Sequence, residues 1–417
     1  MAYADTITYL LGLEASRGWD LKLERVRETL ARLGNPEEKF AAVLIAGTNG
    51  KGSTAALVEN ALLAQGLAAG LYTSPHLVHF TERIRIGGCE ISQATVVDLV
   101  EEVCVLAPPE ETGLTFFEIT TVLALLAFAR GGIDVGVLEV GLGGRLDATN
   151  VMEPAVSAIT SIGLDHREWL GNTEVEIALE KAGVFRSGRT TVLGEGLSSE
   201  VASVLEHRAA EMGADLVRPF ATLRELQLVG PHMQRNADTA AALLKGLSAE
   251  CPELAVLPEI REKAFTATRW PGRLDAQSLG MPLWIDGAHN LEAAVALREA
   301  LPALSQGLPY RLVFAAMRDK PWRAIASLLA ADASEIVLVG LENERAVAPE
   351  ELATAFPEGA DVRIFARPEE ALRQLLRESA ESPVLVAGSL FLAGAVYELI
   401  LQSRGLSSVF ELGGGAF

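Results

Sequence analysis

Residues 41–53 read Ala-Ala-Val-Leu-Ile-Ala-Gly-Thr-Asn-Gly-Lys-Gly-Ser, and they predict how the N-terminal part of the chain folds. The apolar run 41–46 is typical of a strand buried in a parallel sheet, and helical periodicity follows over 54–65. Between the two, glycines let backbone amides approach phosphate oxygens at the positive end of the helix, and Lys51 adds a compact charge. The stretch therefore predicts a strand, a phosphate-binding loop and a helix.

This loop departs from the common phosphate-loop pattern G-x-x-x-x-G-K-[ST], because Gly52 stands between Lys51 and Ser53. The alternative interpretation is a glycine-rich turn that binds no ligand. The lysine, the hydroxyl and the flanking strand and helix favour phosphate binding over that alternative.

The same alternation of strand and helix patterns continues through the chain. In the N-terminal part it predicts strands over 69–72, 135–140 and 155–162, a helix over 115–129, and a hairpin over 83–91 around Gly87 and Gly88. From Pro282 onward it predicts strands over 283–285, 311–315, 335–339 and 383–386, and a helix over 291–300. Such alternation is the signature of parallel sheets covered by helices.

Turn residues in 270–273 and 278–280 interrupt this periodicity and place a domain boundary near 270–280. We therefore predict an α/β protein of two domains. Residues 1–272 would form a phosphate-loop parallel sheet with helices, and residues 273–417 a smaller Rossmann-like α/β domain.

Composition restricts the partners and the compartment. The chain has 417 residues and a formal net charge of −20, which disfavours nucleic acid and anionic membranes as partners. Its three cysteines lack the spacing of a zinc site or a disulfide framework, and no signal peptide or membrane-spanning run is apparent. A cytoplasmic protein is expected.

Polar residues follow the predicted strands where each strand ends, which is the edge at which parallel sheets bind ligands. In the N-terminal part they are the glycine loop, residues 73–76, Glu139, Asp165 and His166; in the C-terminal part they are residues 286–290, Gly388 and Ser389. Two such sets predict a cleft between the domains.

Several of these residues also have a plain structural interpretation. Glu139 fits a magnesium ligand or an ion pair with Arg145, and taken alone His166 is more typical of a surface or structural histidine. Lys181 in a helix is typical of a solvated lysine, while Asp286 fits a helix cap as well as a ligand-binding group.

The motifs together resemble the Mur ligase superfamily, and within it the dihydrofolate synthase and folylpolyglutamate synthase family. The segments that carry the resemblance keep one order along the chain: 46–54 (AGTNGKGST), 72–78 (YTSPHLV), 114–119 (LTFFEI), 138–151 (LEVGLGGRLDATNV), 159–167 (ITSIGLDHR), 180–187 (EKAGVFRS), 270–274 (WPGRL), 285–291 (IDGAHNL), 318–321 (RDKP) and 387–392 (AGSLFL). Ten segments in order are far more specific than any one of them.

The resemblance implies a set of site residues. For ATP it implies Thr48, Asn49, Gly50, Lys51, Gly52, Ser53, Asn236, Arg273 and Asp286; for the metal, Ser74, Glu139, His166 and a carbamylated Lys181; for catalysis, Lys51, His166, Lys181 and His289; and for the pterin and glutamate substrates, Asp20, Leu21, Lys22, Leu23, Thr115, Asp147, His289 and Ser389. Lys22 stands where the family commonly has glycine.

The resemblance further implies an ATP-dependent ligase that joins L-glutamate to dihydropteroate, or to the glutamate chain of reduced folates, through an acyl phosphate. One or two Mg²⁺ ions would assist, ATP would be a co-substrate, and a monomer is expected. One alternative is a ligase of the same superfamily that acts on a UDP-sugar peptide; another is a phosphate-loop nucleotide switch. The chain has no sizeable domain before its phosphate loop to bind a UDP-sugar, and a switch needs no second catalytic domain.

Overall fold

The computed structural model describes residues 2–17, 22–222, 224–305, 309–357, 359–378 and 383–412. They group into two compact units. The first comprises residues 1–76, 80–226 and 234–268, and the second comprises residues 77–79, 227–233 and 269–417. The predicted two-domain α/β architecture is confirmed, and the chain enters the main part of the second unit at Arg269.

The first unit is built on an eight-stranded sheet with the order β4-β3-β2-β5-β1-β6-β7-β8. Its strands are β1 (Ala41–Ala46), β2 (Ala69–Tyr72), β3 (Ile84–Ile86), β4 (Cys89–Glu90), β5 (Val135–Glu139), β6 (Val156–Ile159), β7 (Thr190–Leu193) and β8 (Asp215–Val217). The β2-β3 and β3-β4 pairs are antiparallel and the remaining pairs are parallel. The chain leaves β1 toward β2 on one side and returns past β1 to β6 on the other, so β1 lies at the switch point where open α/β sheets bind ligands.

The helices of this unit pack against the sheet and bury its apolar strands. They are α1 (Tyr3–Arg17), α2 (Leu23–Arg32), α3 (Lys51–Ala64), α4 (Gln93–Leu106), α5 (Pro109–Thr112), α6 (Phe116–Gly131), α7 (Arg167–Leu170), α8 (Glu174–Lys181), α9 (Ser199–Met212), α10 (Pro231–Glu250) and α11 (Pro258–Ala267). Helix α6 is apolar on nearly every side and is buried over most of its length, so it forms the centre of this core.

The second unit has a six-stranded sheet with the order β13-β12-β11-β14-β10-β9. Its strands are β9 (Asp275–Ser278), β10 (Pro282–Ile285), β11 (Tyr310–Phe314), β12 (Ala333–Val339), β13 (Val362–Phe365) and β14 (Val384–Ala387), and its helices are α12 (Leu291–Ser305), α13 (Trp322–Ala330), α14 (Pro349–Leu352), α15 (Pro368–Arg377) and α16 (Leu390–Arg404). All pairs are parallel except β9-β10. Apolar clusters fill both faces of this sheet.

Most predicted elements are confirmed, including the hairpin β3-β4, but four strands were missed. They are β7, β8, β9 and β13. Residues 278–280 lead from the end of β9 into the turn before β10, where the Leu279 amide donates to the Met281 carbonyl.

None of the helices in the described part of the chain combines the length and the apolar character that a bilayer-spanning segment needs.

Candidate active site

The loop predicted to bind phosphate lies between the end of β1 and the start of α3, so the predicted order of strand, loop and helix is confirmed. Helix α3 begins at Lys51, directly after Gly50, which has a φ of 84°. The Lys51 Nζ donates to the carbonyl oxygens of Gly47 and Thr48, at 3.1 Å each. The lysine therefore folds back over the loop, with its charge at the helix N-terminus where phosphate oxygens would bind.

Residues that follow β6 brace this loop from one side. The Thr160 hydroxyl donates to the Asn49 carbonyl at 2.6 Å, and the Ser161 hydroxyl accepts from the Asn49 amide at 2.8 Å. The Thr48 amide donates to the Ser161 carbonyl at 2.9 Å. These bonds tie the loop to the residues that follow β6, which reduces the ordering cost of binding a ligand.

Asn236 of α10 lies against the loop at Gly50. A Cβ added to Gly50 would stand 2.4 Å from the Asn236 Oδ1, and the φ of 84° already disfavours any side chain there. The contact places the predicted nucleotide-binding asparagine beside the phosphate loop.

Replacing Gly50 with alanine is therefore expected to weaken nucleotide binding at the predicted ATP site by roughly tenfold or more, because the loop and Asn236 must both shift. Titration of the variant with ADP in a calorimeter measures the loss. Gly66→Ala is the matched control, because Gly66 also has a positive φ of 90° but nothing lies within 4 Å of its added Cβ. Equal affinities for ADP in the two variants would contradict the role of the Gly50 contact.

Lys181, at the end of α8, reaches the same carbonyl group as Lys51. Its Nζ donates to the Gly47 oxygen at 2.9 Å, and the residue is 4% exposed. Burial, together with the neighbouring charge of Lys51, lowers the pKa of Lys181 from 10.5 to about 7. The interpretation of Lys181 as a solvated helical lysine is wrong, because the side chain is buried and its neutral form is favoured far more than in an exposed lysine.

Glu139 and Ser74 meet at the ends of the neighbouring strands β5 and β2. The Ser74 amide donates to the Glu139 Oε2 at 3.2 Å, and Glu139 is 6% exposed. The alternative ion pair with Arg145 is wrong, since Arg145 pairs with Glu180, with an Nη2 to Oε1 distance of 2.9 Å.

This pair of residues fits a hard divalent cation. A buried carboxylate beside a serine, next to a phosphate loop, offers the oxygen donors that such ions prefer. Among the described residues no three His, Cys, Asp or Glu side chains are grouped as metal ligands. The predicted magnesium ligands include only two residues of these types, Glu139 and His166.

His166 lies at the same edge of the sheet, in the segment that follows β6. It is exposed, has a φ of 50°, and its amide donates to the Asp165 Oδ1 at 2.9 Å. A left-handed conformation is uncommon for a residue other than glycine and is found at ligand sites more often than elsewhere. Its predicted role as a metal ligand remains a prediction.

In the second unit, Asp286 organises the loop that follows β10. Its Oδ1 accepts from the Ala288 amide and its Oδ2 from the Leu274 amide, at 2.7 Å each. Burial raises the pKa of Asp286, and the charge of Arg273 opposes that rise. Asp286 does not cap the next helix, because Asn290 does so by accepting from the Ala293 amide at 2.9 Å.

The loop that follows β10 also approaches the loop that follows β14. The Gly388 amide donates to the Ala288 carbonyl at 3.1 Å, and Ser389 caps α16 by accepting from the Phe391 amide. The His289 Nδ1 lies 2.8 Å from the Gly287 carbonyl oxygen, so this nitrogen carries the proton. The structure thus brings Asp286, His289 and Ser389 together at one edge of the second sheet.

Of the residues predicted to bind the pterin, Asp20 and Leu21 lie outside the described residues. Lys22 is exposed, and its amide donates to the Glu118 Oε1 at 3.3 Å, while Leu23 is buried at the start of α2. Thr115 caps α6 in a reciprocal pair with Glu118.

Asp147 is fully buried and organises its own loop. Its carboxylate accepts from the amides of Leu142 and Thr149, at 2.8 and 3.0 Å. Burial raises the pKa of Asp147, whereas these hydrogen bonds lower it, and the effect of burial is the larger. Asp147 thus shapes the 141–150 loop, and its predicted role in substrate binding remains a prediction.

Comparison with known proteins identifies the family. The profile described as the Mur ligase middle domain matches residues 45–194, and the one described as the Mur ligase glutamate ligase domain matches residues 272–390. The folylpolyglutamate synthase of Lacticaseibacillus casei is 33% identical over 97% of this chain and 100% of its own length. The chain belongs to the folylpolyglutamate synthase family of Mur ligases.

Solved structures of this ligase family have the same fold. E. coli FolC in complex with DHPP and ADP has a TM-score of 0.85 at 33% identity, covering 96% of this chain and 98% of that one. The bifunctional folylpolyglutamate synthase/dihydrofolate synthase of Yersinia pestis, complexed with AMPPNP and Mn ion, has a TM-score of 0.84 at 33% identity, covering 97% and 98%. The comparisons therefore favour the folate branch over the UDP-sugar ligases.

Sequence reasoning missed several residues that shape the site of this Mur ligase. Thr160 and Ser161 brace the phosphate loop, and Arg25 pairs at 2.7 Å with the buried Glu118, which also accepts from the Lys22 amide. All but Arg25 lie within the motif segments, so the signal was present. The motifs do not indicate, however, which residues Thr160 and Ser161 contact.

Proposed function

We propose that this ligase joins L-glutamate to dihydropteroate, to the glutamate chain of reduced folates, or to both, with release of ADP and phosphate. The observation that carries the proposal is the braced phosphate loop, on which the amines of Lys51 and Lys181 converge at one carbonyl oxygen. The family membership adds the substrate class.

For the nucleotide, residues 48–53 would hold the phosphates through backbone amides and the Lys51 ammonium group. Asn236 would contact the nucleotide from α10, where it already lies beside Gly50. Arg273 and Asp286 would contribute from the second unit. In this assignment the N-terminal domain, predicted over residues 1–272, supplies most of the ATP site, and the C-terminal domain, predicted over residues 273–417, adds Arg273 and Asp286 and binds glutamate.

For the metal, we propose one or two Mg²⁺ ions. Ser74, Glu139 and His166 would hold the first ion, and Lys181, once carbamylated, would hold a second. Bound magnesium neutralises negative charge on phosphoryl and acyl oxygens. Carbamylation converts the neutral amine and CO₂ into a carbamate and a proton, and burial of Lys181 supplies that neutral amine near pH 7.

The chemistry follows from the poor reactivity of a carboxylate, whose leaving group would be oxide. An oxygen of the substrate carboxylate attacks the γ-phosphorus of ATP, the bond to the β-γ bridging oxygen breaks, and ADP leaves. The glutamate amine then attacks the acyl carbon, loses a proton, and phosphate departs. Lys51 stabilises charge on the transferring phosphoryl group, and the rigid loop keeps the reacting atoms in line.

His289 and Ser389 would orient the incoming glutamate at the edge of the second sheet. Lys22, Leu23 and the capped start of α6 at Thr115 would contribute to the pterin site, together with Asp20 and Leu21. We further propose that the enzyme acts as a monomer in the cytoplasm on these small molecules, without a nucleic-acid partner.

Substrate-dependent ADP release tests the proposal. We expect release with ATP and glutamate only when dihydropteroate or tetrahydrofolate is also present, and parallel assays with each would show which activities exist. ADP release that needs neither pterin nor folate, or no release with either, would contradict the proposed function.

A further inference from the structure

The turn over residues 270–274 of the second unit has an unusual backbone. Gly272 has a φ of 73°, which glycine adopts freely, but Leu274 has a φ of 46°, which is disfavoured for a leucine. A conformation of this kind persists only where the surroundings fix it. Arg273, the residue to which we assign a nucleotide contact, lies between these two positions.

Three hydrogen bonds fix this turn from its own unit. The Gly272 amide donates to the Tyr397 hydroxyl at 2.7 Å, and the Gly272 carbonyl accepts from the Gly287 amide at 2.9 Å. The Leu274 amide donates to the Asp286 Oδ2 at 2.7 Å. Two of these partners belong to the loop after β10, which is already part of the proposed site, whereas Tyr397 belongs to α16.

Tyr397 is itself held in place by a chain of polar contacts. It is 0% exposed, and its hydroxyl donates to the Asp275 Oδ2 at 2.6 Å. The Asp275 Oδ1 accepts from the Arg269 Nη2 at 2.8 Å, and the Arg269 Nη1 donates to the Leu412 carbonyl at 2.5 Å. Burial raises the pKa of Tyr397 well above 10, and the charge of Asp275 raises it further, so the hydroxyl keeps its proton.

The Arg273 guanidinium lies over the loop that follows β10. A Cβ added to Gly287 would stand 3.2 Å from the Arg273 Nη1. A movement of the 270–274 turn would therefore change the position of the guanidinium relative to Gly287 and to Asp286, whose pKa the Arg273 charge lowers.

We propose that Tyr397, supported by Asp275 and Arg269, is a positioning residue that fixes the 270–274 turn and so places Arg273 for nucleotide binding. The inference rests on the proposed nucleotide role of Arg273. Tyr397 does not itself touch ATP; it acts through the amide of Gly272.

Tyr397→Phe tests this inference, because it keeps the buried ring and removes only the hydroxyl. Tyr310→Phe is the matched control: Tyr310 is in the same unit, is 2% exposed, and its hydroxyl donates to the Leu329 carbonyl at 2.5 Å, remote in sequence from the turn. Asp275→Asn is a second variant that weakens the support of Tyr397 without altering the ring.

Hydrogen exchange, ADP binding and steady-state kinetics separate a positioning role from a general loss of stability. We expect the 270–276 amides to exchange hydrogen roughly tenfold faster in Tyr397→Phe, and the Kd for ADP and the KM for ATP each to rise roughly tenfold. We expect kcat and the KM for glutamate to change by less than about twofold, and Asp275→Asn to show a smaller shift of the same kind. Tyr310→Phe should leave all of these values unchanged even if its Tm falls.

The double variant Arg273→Lys/Tyr397→Phe should bind ADP little more weakly than Arg273→Lys alone, because both changes act on one contact. Additive losses, an unchanged exchange rate of the turn, or the same Kd for ADP in Tyr397→Phe and Tyr310→Phe would each overturn the inference. If the wild type binds ADP but shows no ligase activity, the proposed function fails. The Kd values for ADP of the two tyrosine variants still test the role of Tyr397. If the wild type binds no nucleotide, both fail.

Discussion

Replacing Lys51 with alanine is expected to lower the rate of substrate-dependent ADP release by roughly 100- to 1,000-fold. The Lys51 Nζ lies over the loop, 3.1 Å from the carbonyl oxygens of both Gly47 and Thr48. It therefore places a positive charge at the loop where the terminal phosphates would bind. Its loss removes stabilisation of the transferring phosphoryl group, so kcat should fall more than affinity for the organic substrates.

The measurement is ADP release at saturating ATP, glutamate and pterin substrate, with Tm as a check on folding. Lys39→Ala is the control variant, because Lys39 is exposed and precedes β1, at the opposite end of that strand from the phosphate loop. We expect Lys39→Ala to retain wild-type activity. A Lys51→Ala rate within a few-fold of wild type would show that the phosphate site has been misassigned.

The buried strands could be predicted from the sequence because their apolar runs are uniform and end at glycine or polar residues. β1 and β2 have the predicted bounds. The start of α3 was predicted at residue 54, but the helix begins at Lys51. Gly52 has a poor helix propensity, so the first turn is not apparent from the sequence. Tertiary packing around the loop overrides that local preference.

The missed strands are short or polar. β8 (Asp215–Val217) and β9 (Asp275–Ser278) are edge strands, which pair on one side only and need no apolar run on both faces. In addition, β9 pairs antiparallel with β10. The alternation of strand and helix patterns predicts parallel pairs and does not suggest this one.

The candidate site could be located from the sequence because parallel strands present their carboxyl ends at one edge. The contacts within it could not, because they join residues far apart in the chain. Lys181 appears in the sequence only as a helical lysine, and its burial and its bond to the Gly47 carbonyl depend on how α8 packs. The Thr160 brace on Asn49 is of the same kind.

Lys181→Ala is expected to reduce ADP release by an amount similar to the Lys51 variant, roughly 100-fold or more, if its carbamate holds a catalytic magnesium. Added formate or acetate should restore part of the rate, because a small carboxylate fits the space left by the side chain. Incorporation of ¹³CO₂ gives a direct readout: wild type and Lys39→Ala should show one carbamate carbon resonance that Lys181→Ala lacks. Wild-type activity of the Lys181→Ala variant would show that Lys181 has no catalytic role.

Stability in CO₂-free buffer offers a separate test of the buried amine. Because the folded-state pKa of Lys181 is about 7 and its unfolded value is 10.5, the unfolded chain binds more protons between these pH values. The contribution of Lys181 to the free energy of unfolding should therefore rise with pH across that window, and the penalty for burying its charge is fully present below pH 7.

Lys181→Met removes that titration and keeps a side chain of similar length. From pH 7.5 to pH 9 the wild type should gain about 2 kcal/mol relative to the Met variant, since one pKa unit corresponds to about 1.36 kcal/mol. Denaturant titrations at the two pH values measure the difference. A constant difference between the two proteins would mean that Lys181 keeps its ordinary pKa, and the route to its carbamate would then lack the neutral amine on which it depends.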